Sequence, residues 1–193
     1  MTTKKKGVKD KSLGFDPLAW MNDDEQADAP AVKPTKTPAK KVAAQVQPNK
    51  KTPAYKSELG LNVEILESSF ALLAPVSEEM IGQFYSNLFE RFPSVIPLFE
   101  GTTQQQQVTK LIAAIKLTIE HLRQPGKLVE VLKAMGARHQ AYGAETAHYK
   151  AVNDTLLEVM QQYAGAEWTD EVNDAWTNAL NLIADTMLSA YKR

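Results

Sequence analysis

The side chain in this sequence whose type and placement most directly suggest chemistry is His139. In the run Leu128 to Tyr149 it follows Leu128, Leu132 and Met135 at spacings of four, three and four, the period of one face of an α-helix. An imidazole therefore faces whatever that apolar stripe buries. Two readings are open. A lone histidine on an apolar face is most often a core residue whose ring nitrogens are hydrogen-bonded. The alternative is a single imidazole ligand to iron. Tyr85 shares an inward face with Phe84, Leu88 and Phe89, and a buried phenol must find a hydrogen-bond partner. The other two histidines offer less. His121 stands at a helix end near Arg123 and reads as a surface or capping residue, and His148 reads as structural.

Several kinds of chemistry are excluded. There is no cysteine, so disulfides, thiolate metal sites and a thiol nucleophile are absent. No Ser-His-Asp set, phosphate-cradling loop or catalytic carboxylate pair stands out. No run of about 18 apolar residues exists to span a membrane, and the N-terminal lysines are not followed by the apolar stretch of a secretory signal. The expected location is cytoplasmic.

The elements that must position these side chains are helices. Val63, Leu66, Phe70 and Leu73 form one stripe, stopped at Pro75. Ser77 is an N-cap candidate with Glu78 and Glu79 in the first turn, opening a helix whose face is Ile81, Phe84, Tyr85, Leu88 and Phe89. Pro93 and Pro97 bracket a short helical turn from Phe92 to Phe99. Gly101-Thr-Thr reads as a loop and cap before Val108, Leu111, Ile112, Ile115, Ile119 and Leu122. Gln124-Pro-Gly126 separates that face from the His139 helix. Gly143 suits the stop of the latter, and Thr146 suits an N-cap for the next. That next stripe is Tyr149, Val152, Leu156, Val159 and Tyr163, ended by Gly165. Thr169 opens a last helix with the face Val172, Trp176, Leu180, Ile183, Met187 and Ala190. No period-two segment flanked by turns occurs, so no strands are expected.

Residues 1–56 differ in kind. They hold twelve lysines against six acids, a net of +6, and six of the ten prolines, whereas residues 57–193 carry a net of −7. The boundary is placed near Ser57. With few and aperiodic apolar residues, the first 56 are expected to be a disordered tail. Within it Leu13-Gly-Phe-Asp-Pro-Leu-Ala-Trp-Met21 gathers Phe15, Leu18 and Trp20. This is the kind of apolar island a short docking motif uses to engage a protein partner, and the alternative is a chance cluster. The tail offers only Trp20 and Tyr55 for base stacking, so no nucleic-acid partner is expected.

The ordered set Phe84-Tyr-Ser-Asn-Leu-Phe89, Phe92-Pro-Ser-Val-Ile-Pro-Leu-Phe99, Gln107 with Lys110-Leu111, Gly136-Ala-Arg-His139, Tyr142-Gly143 and His148-Tyr149 resembles the bacterial single-domain haemoglobins. It is equally similar to the globin domain of flavohaemoglobins and more distantly to neuroglobin. The resemblance covers about Asn62 to Tyr191, not the tail. It implies an all-α globin fold of six to eight helices around a haem pocket, with haem b as cofactor. His139 would be the proximal iron ligand, its second ring nitrogen donating to a backbone carbonyl. Phe99 would wedge against the porphyrin. Tyr85 and Gln107 would be distal donors to a bound gas, and Lys110 would pair with a propionate. Leu98, Leu111, Met135 and Val152 would line the pocket, with Tyr149 on the proximal side.

One position departs from the family. Flavohaemoglobins place a glutamate near the end of the last helix, and Tyr191 stands there in this chain. That substitution, with no flavin or nicotinamide reductase segment in evidence, makes nitric oxide dioxygenase activity an expectation only with an external reductase. The implied function is reversible binding of dioxygen, and of nitric oxide or carbon monoxide, for oxygen transport or scavenging. The alternative is a gas sensor or signalling adaptor that docks a partner through its tail.

Overall fold

The structure, a computed structural model, describes residues 57–192. The expectations for the tail, including the Leu13–Met21 motif, lie outside the described residues. Six α-helices follow one another: α1 Val63–Leu73, α2 Ser77–Arg91, α3 Gln104–His121, α4 Pro125–Ala141, α5 Thr146–Ala164 and α6 Asp170–Leu188. Three 3₁₀ turns stand between them, at Ala74–Val76, Pro93–Phe99 and Gly165–Glu167. No strand occurs among the described residues. The fold is all-α, as the uninterrupted succession of helical stripes predicts.

Local chemistry sets most boundaries. Asn62 caps α1, its side chain accepting from the Ile65 amide at 3.3 Å. Thr103 caps α3 in a reciprocal box with Gln106, which satisfies two amide donors that a helix start would leave open. Thr169 caps α6 by accepting from the Val172 amide. Pro125 is the first residue of α4, where its missing N–H costs nothing. Gly143, with φ +88°, ends α4 in the left-handed region that a side chain disfavours.

Three local expectations are corrected. Ser77 does not cap α2: it is the first helical residue, and its hydroxyl donates back to the Ala74 carbonyl at 2.8 Å, because the preceding 3₁₀ turn already supplies that acceptor. Thr146 does not cap α5. Glu145 does, in a box with His148 whose Nδ1 accepts from the Glu145 amide at 3.0 Å. His121 is not a surface residue. It is buried, its Nδ1 donating to the Leu117 carbonyl at 2.8 Å, since the chain turns back into α4 over the end of α3.

Packing centres on two helices. α6 lies against α4, α5 and α1, and α2 lies against α3 and α5. Val63, Leu66, Ile81, Leu88 and Val159 are fully enclosed in the core. At the α4–α6 crossing the backbones touch: a Cβ on Gly136 would fall 2.1 Å from the Met187 carbonyl oxygen. Only a glycine allows that approach, and His139 follows Gly136 by about one helical turn.

Candidate functional site

The six helices and the Pro93–Phe99 turn surround one large apolar cleft. Its walls come from every part of the fold: Leu66 on α1, Leu88 on α2, Ile115 on α3, Leu132 on α4, Leu156 on α5 and Ile183 on α6. Few polar side chains reach it, and His139 and Tyr85 are the two with the clearest chemical means.

His139 enters the cleft from α4. Its Nδ1 donates to the Met135 carbonyl one turn back, at 2.8 Å. A carbonyl can only accept, so Nδ1 carries the proton, and in the neutral ring Nε2 then holds the lone pair. Burial holds this imidazole below its usual pKa range; nearby Arg138 adds to that effect, and the Met135 bond opposes it. The ring is thus kept neutral, the form that binds metals.

Beside it stands Tyr149, its ring centroid 6.1 Å from that of His139. The Tyr149 and Tyr191 hydroxyls lie 3.0 Å apart. Tyr191 donates to the Ala144 carbonyl at 2.9 Å, so the proton between the two phenols comes from Tyr149. Burial pushes the Tyr149 phenol far up, and the contact with Tyr191 pushes it further. Burial also raises Tyr191. The pair is neutral throughout the ordinary pH range.

Tyr85 enters from α2, buried and edge-on to Phe84 and Phe99 with centroids 4.9 and 5.7 Å away. Its hydroxyl donates to the Gln107 backbone carbonyl over a long 3.4 Å, and burial pushes its pKa far up. Phe99 also stacks edge-on against Phe89, at 5.2 Å, so the 3₁₀ turn is held to α2 by an aromatic cluster.

The remaining residues singled out in the sequence divide between two places. Leu98, Phe99, Leu111, Met135, Tyr149 and Val152 all line the large cleft. Gln107 does not. It is buried at 2 % exposure, and its amide nitrogen donates to the Thr102 hydroxyl at 2.6 Å. It lines a smaller adjoining cleft together with Thr102 and Gln104. Tyr85 and Phe99 line both clefts and so stand between them. Lys110 is half-buried on α3 outside the lining of either.

Sequence reasoning missed Thr102, Ala144 and Trp176 as contributors here. Thr102 carries a cap-like signal only, Ala144 takes part through its carbonyl, and Trp176 was visible merely as one member of the α6 stripe. His148, read as structural, serves as a capping partner and also reaches the cleft wall.

Comparison with known proteins agrees with this arrangement. A family model described as Globin matches residues 82–187. A flavohemoprotein of Bacillus subtilis is 29 % identical over 132 residues, covering 67 % of this chain and 33 % of its own length. One from Bacillus thuringiensis is 32 % identical over 132 residues, covering 66 % and 32 %. The chain therefore spans about a third of the length of these curated relatives. Among solved structures, ferric myoglobin of Aplysia limacina superposes with a TM-score of 0.59 at 18 % identity, over 67 % of this chain and 96 % of that one. A bacterial globin from Campylobacter jejuni superposes with a TM-score of 0.58 at 21 % identity, over 66 % and 92 %. The helical order, the cleft and the family match covering more than half of the sequence lead to one conclusion: the chain belongs to the globin family.

Proposed function

We propose that this chain binds dioxygen reversibly, and nitric oxide or carbon monoxide in the same way, at a haem b iron held by His139, with residues 57–193 as the gas-binding unit. Globin membership implies haem iron as cofactor and gas binding by that haem in general. The cleft fits such a group. It is apolar, is walled by all six helices, and presents the neutral imidazole of His139. Among the described residues no group of three or more histidines, cysteines and acids could hold a metal ion.

The observation that carries the reading is the His139 Nδ1 bond to the Met135 carbonyl, at 2.8 Å, inside that cleft. It fixes the tautomer and aims the ring, as outer partners of metal-ligating histidines do. When bound, the ferrous haem supplies an open position for a diatomic gas and shifts negative charge onto it. The protein's own part is selective holding. Tyr85 presents a neutral phenol to the cleft, and its long bond to the Gln107 carbonyl is easily exchanged for a better acceptor. Gln107 is the second proposed donor when its amide leaves Thr102. Phe99 would pack against the macrocycle, with Leu111, Met135 and Val152 enclosing its edge, and Lys110 is the proposed partner for a propionate. Tyr149 buttresses the His139 side.

The reading extends to oxygen transport or scavenging in the cytoplasm. No helix among the described residues is long and apolar enough to cross a membrane. A second reading is favoured by one sequence feature. Phe15, Leu18 and Trp20 in a strongly basic, proline-rich segment suit docking to a protein partner, which would make the globin a gas sensor or signalling adaptor. Nitric oxide dioxygenase activity is proposed only with a separate reductase. The test of the primary reading is an absorption spectrum of the purified full-length protein, ferric, dithionite-reduced and under carbon monoxide. A sharp, carbon monoxide-sensitive Soret band at one haem per chain supports it, and a colourless protein that cannot be reconstituted with haem overturns it.

A further inference from the structure

His139 lies in the last turn of α4, which closes at Ala141. The carbonyls of a last turn have no amide partners within the helix, and helix ends are the first to fray. A side chain that must keep one direction there needs its turn held from outside. The first hold is local. The His139 carbonyl accepts from the Ala144 amide at 2.9 Å, and the Gln140 carbonyl accepts from the Gly143 amide at 3.0 Å.

The second hold comes from the residues that follow α6. Beyond Leu188 the chain turns, with the Tyr191 amide donating to the Leu188 carbonyl at 3.0 Å, and reaches the end of α4. There the Gln140 side-chain nitrogen donates to the Lys192 carbonyl at 2.7 Å, and the Gln140 side-chain oxygen accepts from the Lys192 amide at 2.9 Å. A primary amide has a donor side and an acceptor side, and the backbone of one residue engages both. One residue earlier, the Tyr191 hydroxyl donates to the carbonyl of Ala144 at 2.9 Å, the residue whose amide holds the His139 carbonyl. In sequence His139 falls between two places where α6 or its continuation meets α4: Gly136 at the Met187 backbone, and Gln140 at Lys192.

We propose that Gln140 is a positioning residue: by clamping Lys192 to the last turn of α4, with Tyr191 seated on Ala144, it fixes the direction in which His139 presents Nε2 to the cleft. Gln140 does not itself line the cleft and acts through the backbone of α4. With the clamp open, the last turn frays and the ring samples several directions. With it closed, the ring keeps one. The two Gln140 bonds are exposed, so each stands at the low end of the usual net strength, and losing both should raise the open population roughly fivefold.

The inference rests on the haem reading above, and the experiment separates the two. The full-length protein, loaded with haem, is compared as wild type, Gln140→Ala, Tyr191→Phe and Thr169→Ala. Thr169→Ala removes the cap of α6, roughly 30 Å from the clamp along that helix, and so lowers stability without touching it. Two quantities are read: hydrogen exchange at the Gly143 and Ala144 amides by NMR, and the iron–histidine stretching band of the ferrous, gas-free protein by resonance Raman spectroscopy. Gln140→Ala should speed exchange at both amides roughly fivefold and broaden the band, and Tyr191→Phe should act in the same direction. Thr169→Ala should leave the band and both amides as in the wild type. An unchanged band in Gln140→Ala overturns the clamp, and so does an equal change in Thr169→Ala, which would make the effect one of global stability. Should the wild type hold no haem, the underlying reading fails instead, and exchange at the two amides of the protein as purified decides the clamp by the same comparison.

Discussion

Tyr149 and Tyr191 join their hydroxyls across 42 residues of sequence, 3.0 Å apart, and through them α5 is tied to the chain just beyond α6 and to the Ala144 carbonyl. The resemblance to flavohaemoglobins leads one to expect a carboxylate at the Tyr191 position. A phenol there is neutral and already donates its proton to Ala144. It can accept from Tyr149 but adds no negative charge behind His139. The His139 side of the cleft is thereby anchored, and a haem held there as proposed would lack the electron push that reactive haem enzymes use.

Removing that anchor has a defined cost. Tyr191→Phe leaves the Tyr149 hydroxyl and the Ala144 carbonyl each short of a partner, a loss of about 1–3 kcal/mol. A thermal melt should show a fall of several degrees with the haem still bound. Tyr149→Phe combined with Tyr191→Phe should lose less than the two singles together. Strictly additive losses would show that the two hydroxyls do not act as a pair.

The three histidines should separate cleanly. His139→Ala should lose stoichiometric haem or hold it only loosely. His148→Ala removes half of the α5 capping box, a loss of about 1 kcal/mol, and His121→Ala opens a small gap under the end of α3, but both should keep a normal Soret band. A normal carbon monoxide spectrum in the His139 variant would sink its assignment as the ligand.

Tyr85→Phe removes a donor from the proposed gas-binding cleft while keeping the ring that packs on Phe84 and Phe99. Dioxygen release should accelerate roughly two- to tenfold, and carbon monoxide, which takes on less charge, should respond less. Equal rates for the variant and the wild type would mean that the phenol does not meet the gas.

Two glycines on α4 should respond in opposite directions to alanine. At Gly136 the new Cβ would sit 2.1 Å from the Met187 carbonyl oxygen, so α4 and α6 must part; overpacking of this kind costs about 1–3 kcal/mol. At Gly126 a Cβ meets nothing within 4 Å, and alanine should be neutral or stabilising by up to ~1 kcal/mol. Melting temperatures for the pair test the crossing directly, and similar values for both would contradict it.

Alkaline pH should expose the buried phenols. Tyr85 and Tyr149 both hold their protons well above the ordinary value of 10.0, Tyr85 through burial and Tyr149 through burial first and then its bond to Tyr191. Above that pH the unfolded chain releases protons that the folded one keeps. Their contribution to stability is therefore complete below pH 10 and declines as the pH rises further. Absorbance at 295 nm should show these two ionising only as the protein unfolds. Normal titration of all six tyrosines in the folded state would contradict their burial.

What the sequence by itself determined is the set of helices and the face that each one buries. The 3.6-residue period is a local property, and Leu128, Leu132, Met135 and His139 place an imidazole on a buried stripe whatever the stripe packs against. Glycine and proline stops are local too, which is why Gly143, Pro125 and Gly165 were legible. Caps were less so: Thr146 carries the side chain of an N-cap, yet Glu145, one residue earlier, takes that place. Only the tertiary structure decided the rest. That His121 is buried follows from how α3 turns into α4. That Gly136 must lack a side chain follows from how closely α6 crosses, and no spacing in the sequence encodes that distance. The turn of the Gln107 amide to Thr102, and of Tyr191 to Tyr149, depends on where a loop and a helix end come to rest. A hydrogen bond needs its partners placed within a few tenths of an ångström, and only the packed chain places them so.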